Sequence, residues 1–220
     1  MIRNSFAVAV AVILLGHSSV MADSFADVAT LEAKFEPAQA RPGEQITLTI
    51  TLTPNRERNA YTYPATKQDQ KGKSEIGFGL RGQVILVGDL INPPGAVPKS
   101  SDLGEAEEVY KAPVRWNITT IVHPNAKPGK YTIVLTETRF QACTLGVREN
   151  CYNTFDPKVE LEVLPGEAVP IPAAYQSAVE QALRETAEAT SSGTGPAATP
   201  SRVNLSSEAG GLRPKPSLPT

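Results

Sequence analysis

Gly43-Glu-Gln-Ile-Thr-Leu-Thr-Ile-Thr-Leu-Thr53 is the segment that most restricts what this chain can fold into. Ile46, Leu48, Ile50 and Leu52 alternate with Thr47, Thr49, Thr51 and Thr53, so an extended backbone puts every apolar side chain on one face and every hydroxyl on the other. A helix would scatter both sets around its circumference. The β-branched residues add strand preference, and a strand with one apolar face needs a second layer to cover it.

Val84–Ile91, Val114–Val122, Tyr131–Phe140 and Val159–Leu164 repeat the theme between clusters of Pro, Gly and Asn, and Phe25–Phe35 reads as a weaker first strand. Short strands without intervening helices predict antiparallel pairing, since parallel pairs need crossover connections. The turn Lys127-Pro-Gly129 leads into Tyr131, a pattern in which immunoglobulin-like sheets tie the tyrosine hydroxyl back to the backbone. Trp116 is the candidate core tryptophan. Both cysteines follow it and lie close together, which rules out the inter-sheet disulfide of antibody domains. The expected fold is all-β, an immunoglobulin-like antiparallel β-sandwich of variant topology over residues 23–165. Residues 166–189 read as a linker and a short helix with a thin apolar face of Tyr175, Ala178, Val179, Ala182 and Leu183. Residues 190–220, dominated by Ser, Gly, Pro, Ala and Thr, are expected to be a disordered tail.

At the N-terminus, Arg3, the apolar run Phe6–Leu15 and Val20-Met21-Ala22 have the order of a signal peptide over residues 1–22, with cleavage after Ala22. The apolar run is shorter than the roughly 20 residues that span a bilayer. The expected product is a soluble, monomeric protein in an oxidising compartment, the periplasm if the source is bacterial, with no membrane span after cleavage. A formal net charge of -2 with scattered Lys and Arg offers no footprint for nucleic acid.

The only two cysteines, Cys143 and Cys151, sit just after a strand-like run and can close a disulfide within one hairpin. Such a bridge is either a local staple, worth about 2.5 kcal/mol for so short a loop, or a redox centre. Other chemistries lack their residues. His123 is the one histidine after the signal peptide, and no spacing of metal ligands or nucleophile motif accompanies it, so neither a metal nor a cofactor is expected. The acidic stretch from Ser100 to Tyr110 reads as a solvated loop, and as the contact surface if the protein is an inhibitor or adaptor.

A Pro-Gly-Lys-Tyr131 turn and strand, the box Phe140-Gln141-Ala142-Cys143, Cys151 followed by Tyr152, Pro157 and a closing strand through Val159, Leu161 and Val163 together resemble the N-terminal periplasmic domain of the thiol:disulfide interchange protein DsbD. The likeness extends back to about Thr30. It implies a two-electron carrier whose Cys143/Cys151 pair cycles between dithiol and disulfide through a mixed disulfide with thioredoxin-like proteins. It also implies that Cys151 bonds to the partner, that Cys143 resolves the bond, and that Phe140, Gln141 and Tyr152 flank the site as partner-binding residues. Tyr61, Tyr63, Phe78 and Tyr110 are candidates for an aromatic cap. Seven residues separate the cysteines, more than is usual in that family, and Tyr152-Asn-Thr-Phe-Asp-Pro157 stands in place of its proline pair. The electron donor is expected to be a separate membrane thiol reductase. The competing expectation is a non-enzymatic β-sandwich that binds a partner and carries a structural disulfide.

Overall fold

The computed structural model describes residues 24–67, 72–77, 82–100, 106–145 and 149–191. A helical turn, α1 (Phe25–Val28), leads into β1 (Ala29–Glu36), β2 (Gln39–Ala40) and β3 (Gln45–Pro54). Four short strands follow: β4 (Ala60–Thr62), β5 (Ala65–Lys67), β6 (Ser74–Ile76) and β7 (Val84–Leu86). Next come β8 (Val97–Ser100), β9 (Ala106–Val109), β10 (Val114–Val122), β11 (Gly129–Val134), β12 (Arg139–Thr144), β13 (Asn150–Phe155) and β14 (Lys158–Val163). The helix α2 (Gln176–Ser191) closes the described chain.

The threonine-alternating segment becomes β3, at the centre of a sheet in the order β1-β3-β10-β7. β1 pairs antiparallel along one side of it and β10 along the other, with Trp116 opposite Ile50 and Ile118 opposite Leu48. The alternation does what the sequence predicts: Ile46, Leu48, Ile50 and Leu52 are all buried. They enter one core with Trp116 and Ile118 of β10 and with Ile133, Phe140, Val159, Leu161 and Val163, these last contributed by β11-β14-β2 and by β13-β12-β6-β5 on the other layer. Burial of each such side chain contributes about 1.5–3 kcal/mol. The fold is an all-β sandwich. The Tyr131 hydroxyl donates to the Lys127 carbonyl at 2.8 Å, which closes the expected corner.

Three strand expectations are corrected. Phe25–Val28 is a helical turn, because the Ser24 N–H and hydroxyl both bind Asp27 Oδ2 (2.6 and 2.7 Å) and cap it. Val84–Ile91 stops at Leu86, because Val87 and Gly88 both donate to the Thr119 carbonyl (3.0 Å each). Two residues against one is a bulge, and a Cβ at Gly88 would lie 2.8 Å from the Thr119 nitrogen. Ile91, beyond it, is 73% exposed. Tyr131–Phe140 is two strands, since a turn at Thr136–Glu137, with Glu137 at φ 59°, hands the chain from β14 to the sheet containing β13.

The chain divides into two compact units, Met1–Ala182 and Leu183–Thr220. The sandwich belongs to the first, and Val179 and Ala182 of α2 are buried there, whereas Ala178 is exposed. The described part of the second unit is the distal part of α2, which includes Thr190 and Ser191, placed in the tail by the sequence reading. The rest of that tail, and the expected signal peptide, lie outside the described residues. Among the described residues no helix is long and apolar enough to cross a membrane.

Two substitutions test this packing. Trp116→Ala should lower the unfolding free energy by about 3–5 kcal/mol through the cavity it leaves. Tyr131→Phe, which removes one hydroxyl bond, should cost about 1 kcal/mol. Chemical denaturation of both variants checks the values and their order.

Candidate functional site

β12 and β13 form a hairpin in which Cys143 stands directly opposite Cys151, and the two sulfurs are bonded. Their Cα atoms are 4.0 Å apart, the close spacing of a pair that exchanges no backbone hydrogen bonds. Strand alternation then sorts the neighbours. Gln141 and Asn153, opposite each other, share the face of the disulfide. Phe140, Ala142 and Tyr152 point the other way, into the main core.

On the far side of β12, β4 sets Tyr61 beside Cys143. Tyr61, Tyr63, Val109 and Cys143 form a second, smaller apolar cluster, with the tyrosine rings edge to face at 5.6 Å. The β8–β9 hairpin contributes Val109 to it and Lys99 above it, and two backbone bonds between Thr62 and Tyr110 fix its base. The Lys99 ammonium lies 4.7 Å from the Tyr61 ring centroid, and the Lys73 ammonium 4.2 Å from that of Tyr63. With its side chain 8% exposed, Lys99 needs a partner. Glu149 supplies it at 2.8 Å and Glu107, which also pairs with Lys73, lies at 3.9 Å.

Glu149 is the hub of this cluster. One oxygen, Oε1, accepts from Lys99, from the Tyr61 hydroxyl and from the Tyr63 hydroxyl at 3.2 Å, and lies 3.6 Å from Cys151 Sγ. Burial works to raise the Glu149 carboxyl, but the bonds from Lys99 and Tyr61 outweigh it and hold the group below the usual carboxylate range. Burial, then the bond to Glu149, push the Tyr61 phenol well above its ordinary value, so it stays a donor. Desolvation pulls the Lys99 ammonium down, yet Glu149 and Tyr63 leave it raised and charged.

The structure brings Cys143 and Cys151 together and keeps Gln141 on their face, its side chain 3.4 Å from that of Asn153. It corrects Phe140 and Tyr152 as flanking residues: each is an odd number of positions from the cysteine of its own strand and so lies on the opposite face. Phe140 is fully buried with its ring 5.4 Å from that of Trp116. Of the cap candidates, Tyr61 and Tyr63 are at the site. Tyr110 is not, since it packs edge-on to Trp116 and its hydroxyl donates to the Pro93 carbonyl at 2.6 Å; Phe78 lies outside the described residues. The acidic stretch is corrected too, since Glu107 and Glu108 are on β9 rather than in a loop. Sequence reasoning missed Lys99, Lys73, Glu107 and Glu149. Only Glu149 carried a signal, two residues before Cys151 and hence on its face.

Cys143, Cys151 and Glu149 bring three metal-competent atoms within 4.8 Å of one another. In the disulfide both sulfurs are committed to each other and the carboxylate to Lys99, so the oxidised set does not offer a metal its ligands. His123 caps a turn instead, its Nδ1 accepting from the Asn125 N–H at 3.1 Å. A cavity of ≈ 480 Å³ lined by residues including Arg56, Ala60, Val97, Lys111 and Leu145 lies beyond the end of the β4–β12 pair, and neither cysteine lines it. Cys151 is exposed on β13, an edge strand among the described residues, whereas Cys143 is fully buried. The arrangement offers one sulfur to an incoming nucleophile and shelters the other.

No protein-family model matches the chain, and no curated protein matches it. Among solved structures it is similar to a family 123 glycoside hydrolase from Clostridium perfringens at 15% identity and a TM-score of 0.22, over 61% of this chain and 23% of that one. The chain thus spans less than a quarter of that structure's length, and so slight a likeness carries no argument about activity.

Because the folded protein holds Glu149 below its ordinary value, the stability this provides is fully present above the unfolded-chain value of about 4.3 and is lost as pH falls through the folded value. The thermal midpoint of the oxidised protein should therefore drop as pH is lowered from about 5 to about 3. Glu149→Gln should reduce that drop without abolishing it, since Asp27 and Glu36 are also held low, by bonds from Ser24 and Lys34 respectively. Circular-dichroism melts across this range check both statements.

Proposed function

We propose that this chain is an exported thiol:disulfide exchange module that passes electrons between its Cys143/Cys151 pair and a thioredoxin-like protein, as its resemblance to the N-terminal domain of DsbD implies. The asymmetry of the sulfurs carries the reading: Cys151 is exposed on an edge strand and Cys143 is fully buried beside it. In the reducing direction a partner thiolate attacks Cys151 Sγ, the Cys143–Cys151 bond breaks, and the Cys143 sulfur leaves with the electron pair and takes a proton. The partner's second thiolate then attacks the mixed disulfide and releases Cys151. In the opposite direction Cys143 resolves the mixed disulfide by re-forming its bond to Cys151. An open strand edge suits a protein partner better than a small molecule, which is usually held in a concave pocket. On this reading residues 1–22 direct export to the periplasm, where a disulfide persists, and a separate membrane thiol reductase renews the dithiol.

A structural disulfide is the second reading, and the dense packing of Cys143 against Tyr61, Tyr63 and Val109 is the observation that favours it. The two readings differ in what reduction does. A carrier stays folded in both states, and the strands joined by the bridge are already paired from Arg139↔Phe155 to Thr144↔Asn150.

Reduction by dithiothreitol should therefore leave the β-sheet circular dichroism intact and cost no more than about 2.5 kcal/mol in denaturant titrations. Unfolding by reductant alone would make the bridge a staple. In a second test, Cys143→Ser should trap a thioredoxin-like protein as a long-lived mixed disulfide on non-reducing gels, and Cys151→Ser should trap far less. Equal trapping by the two variants would remove the assigned roles.

A further inference from the structure

The carboxylate beside Cys151 faces the sulfur as well as the groups it pairs with. Lys99 requires a counter-charge, and Glu107 already approaches it at 3.9 Å, yet Glu149 Oε1 takes the closer position at 2.8 Å and lies 3.6 Å from Cys151 Sγ. A disulfide sulfur carries no proton, so in the oxidised protein this contact is not a hydrogen bond. Reduction changes that, because Cys151 becomes an S–H donor facing an acceptor that three other groups hold in place: Lys99 on β8, Tyr61 on β4 and Tyr63 just after it.

We propose that Glu149 sets the reactivity of Cys151: in the dithiol form its carboxylate accepts the Cys151 S–H, keeps that sulfur as a thiol at neutral pH, and slows its reaction with oxidants and alkylating agents until a partner docks. A nearby anion disfavours ionisation of a thiol, and a hydrogen bond to the neutral form acts in the same direction. Only the thiolate is an effective nucleophile. When Cys151 does attack a partner disulfide, its proton is lost to solvent, a new S–S bond forms, the partner's S–S bond breaks, and the partner's other sulfur leaves with the electron pair and takes a proton from solvent.

The surrounding charges fit this role. Lys99 and Lys73 are matched by Glu149 and Glu107, and Arg139, on the cysteine's face of β12, is paired with Glu75 at 3.2 Å. Tyr61 and Tyr63 are hydrogen-bond donors to Glu149, and among the described residues Cys143 adds a further titratable group once the bridge is open. The Glu149 oxygen is thus a charged atom in contact with the sulfur, and Lys99 tempers its field from the other side. Glu149 is a positioning residue that acts through Cys151. Its biological use rests on the exchange reading, but its effect on the thiol does not.

The test uses the full chain, reduced chemically, with no partner present. Iodoacetamide alkylation of Cys151 is followed by peptide mass spectrometry from about pH 6 to pH 11, giving a midpoint and a high-pH plateau for each variant. In the wild type the midpoint should lie above the value of about 8.5 for a free thiol. Glu149→Gln should lower it by about one unit and speed alkylation at pH 7.5 about tenfold, with the plateau unchanged. Lys99→Met should move the midpoint the other way, because the carboxylate then acts unopposed. A structural role for Glu149 would alter the plateau, through exposure of the sulfur, and leave the midpoint in place. Superimposable profiles for wild type and Glu149→Gln overturn the proposal whether or not a partner is ever trapped. A shifted midpoint in a protein that traps no partner supports it and removes the exchange reading alone.

Discussion

β12 buries Phe140 and Ala142 on one face and Cys143 on the other, and much else in the molecule follows from that. Phe140 and Ala142 point into the sandwich beside Trp116, and Cys143 points outward beneath Tyr61 and Tyr63. A strand in the wall of a sandwich ordinarily keeps one face for solvent. Here the outer face is covered at Cys143, by Tyr61, Tyr63 and the Val109 of the β8–β9 hairpin. The disulfide therefore sits on a strand whose position is fixed from two sides. Tyr61, Tyr63 and Val109 shut Cys143 off from solvent, so accessibility falls to Cys151 on the neighbouring edge strand. Sandwich packing and the inequality of the two sulfurs have the same origin.

The cover over the outer face is held by charge as much as by apolar contact. Lys99 is almost wholly removed from water, and its ammonium is satisfied by two carboxylates and two aromatic faces. Breaking such an arrangement by removing one partner costs more than forming it contributes, because the remaining charge stays buried. The partners come from different parts of the chain: Glu107 from β9, Glu149 from the residue before β13, Tyr61 from β4. Placement of the hairpin, ionisation of Glu149 and the surroundings of Cys151 thus form one coupled set.

Periodicity made the central sheet legible in the sequence. β3 and β10 are long and β-branched, and each buries its alternating apolar residues. The corner at Tyr131 was equally legible, because its proline, glycine and tyrosine have separate mechanical roles. Strand propensity misled where a strand changes partners: β-forming residues run on from Ile133 to Phe140 past the Glu137 turn, although the buried positions change parity there, from Ile133 and Leu135 to Thr138 and Phe140. β4 to β6 are only three residues each, too short for any period to register. At the site, the cysteines were evident from their isolation in the sequence, and Glu149 was missed although its parity with Cys151 was there to be read. Lys99 was not, since it follows Pro98 in a stretch with no pattern and is buried by a hairpin partner that only folding brings over it.

The direct opposition of Cys143 and Cys151 also determines which changes the hairpin connection tolerates. The bridge depends on the pairing of the two strands, not on the length of the turn that joins them. Residues can be added to or removed from the turn while Cys143 and Cys151 stay opposed, and the cost of lengthening it grows only logarithmically. A slip of one residue in the pairing is different in kind. It would carry Cys151 to the core side of β13 and bring Tyr152 out beside Cys143. Spacing between the cysteines is therefore free to drift among related hairpins, and what must persist is register.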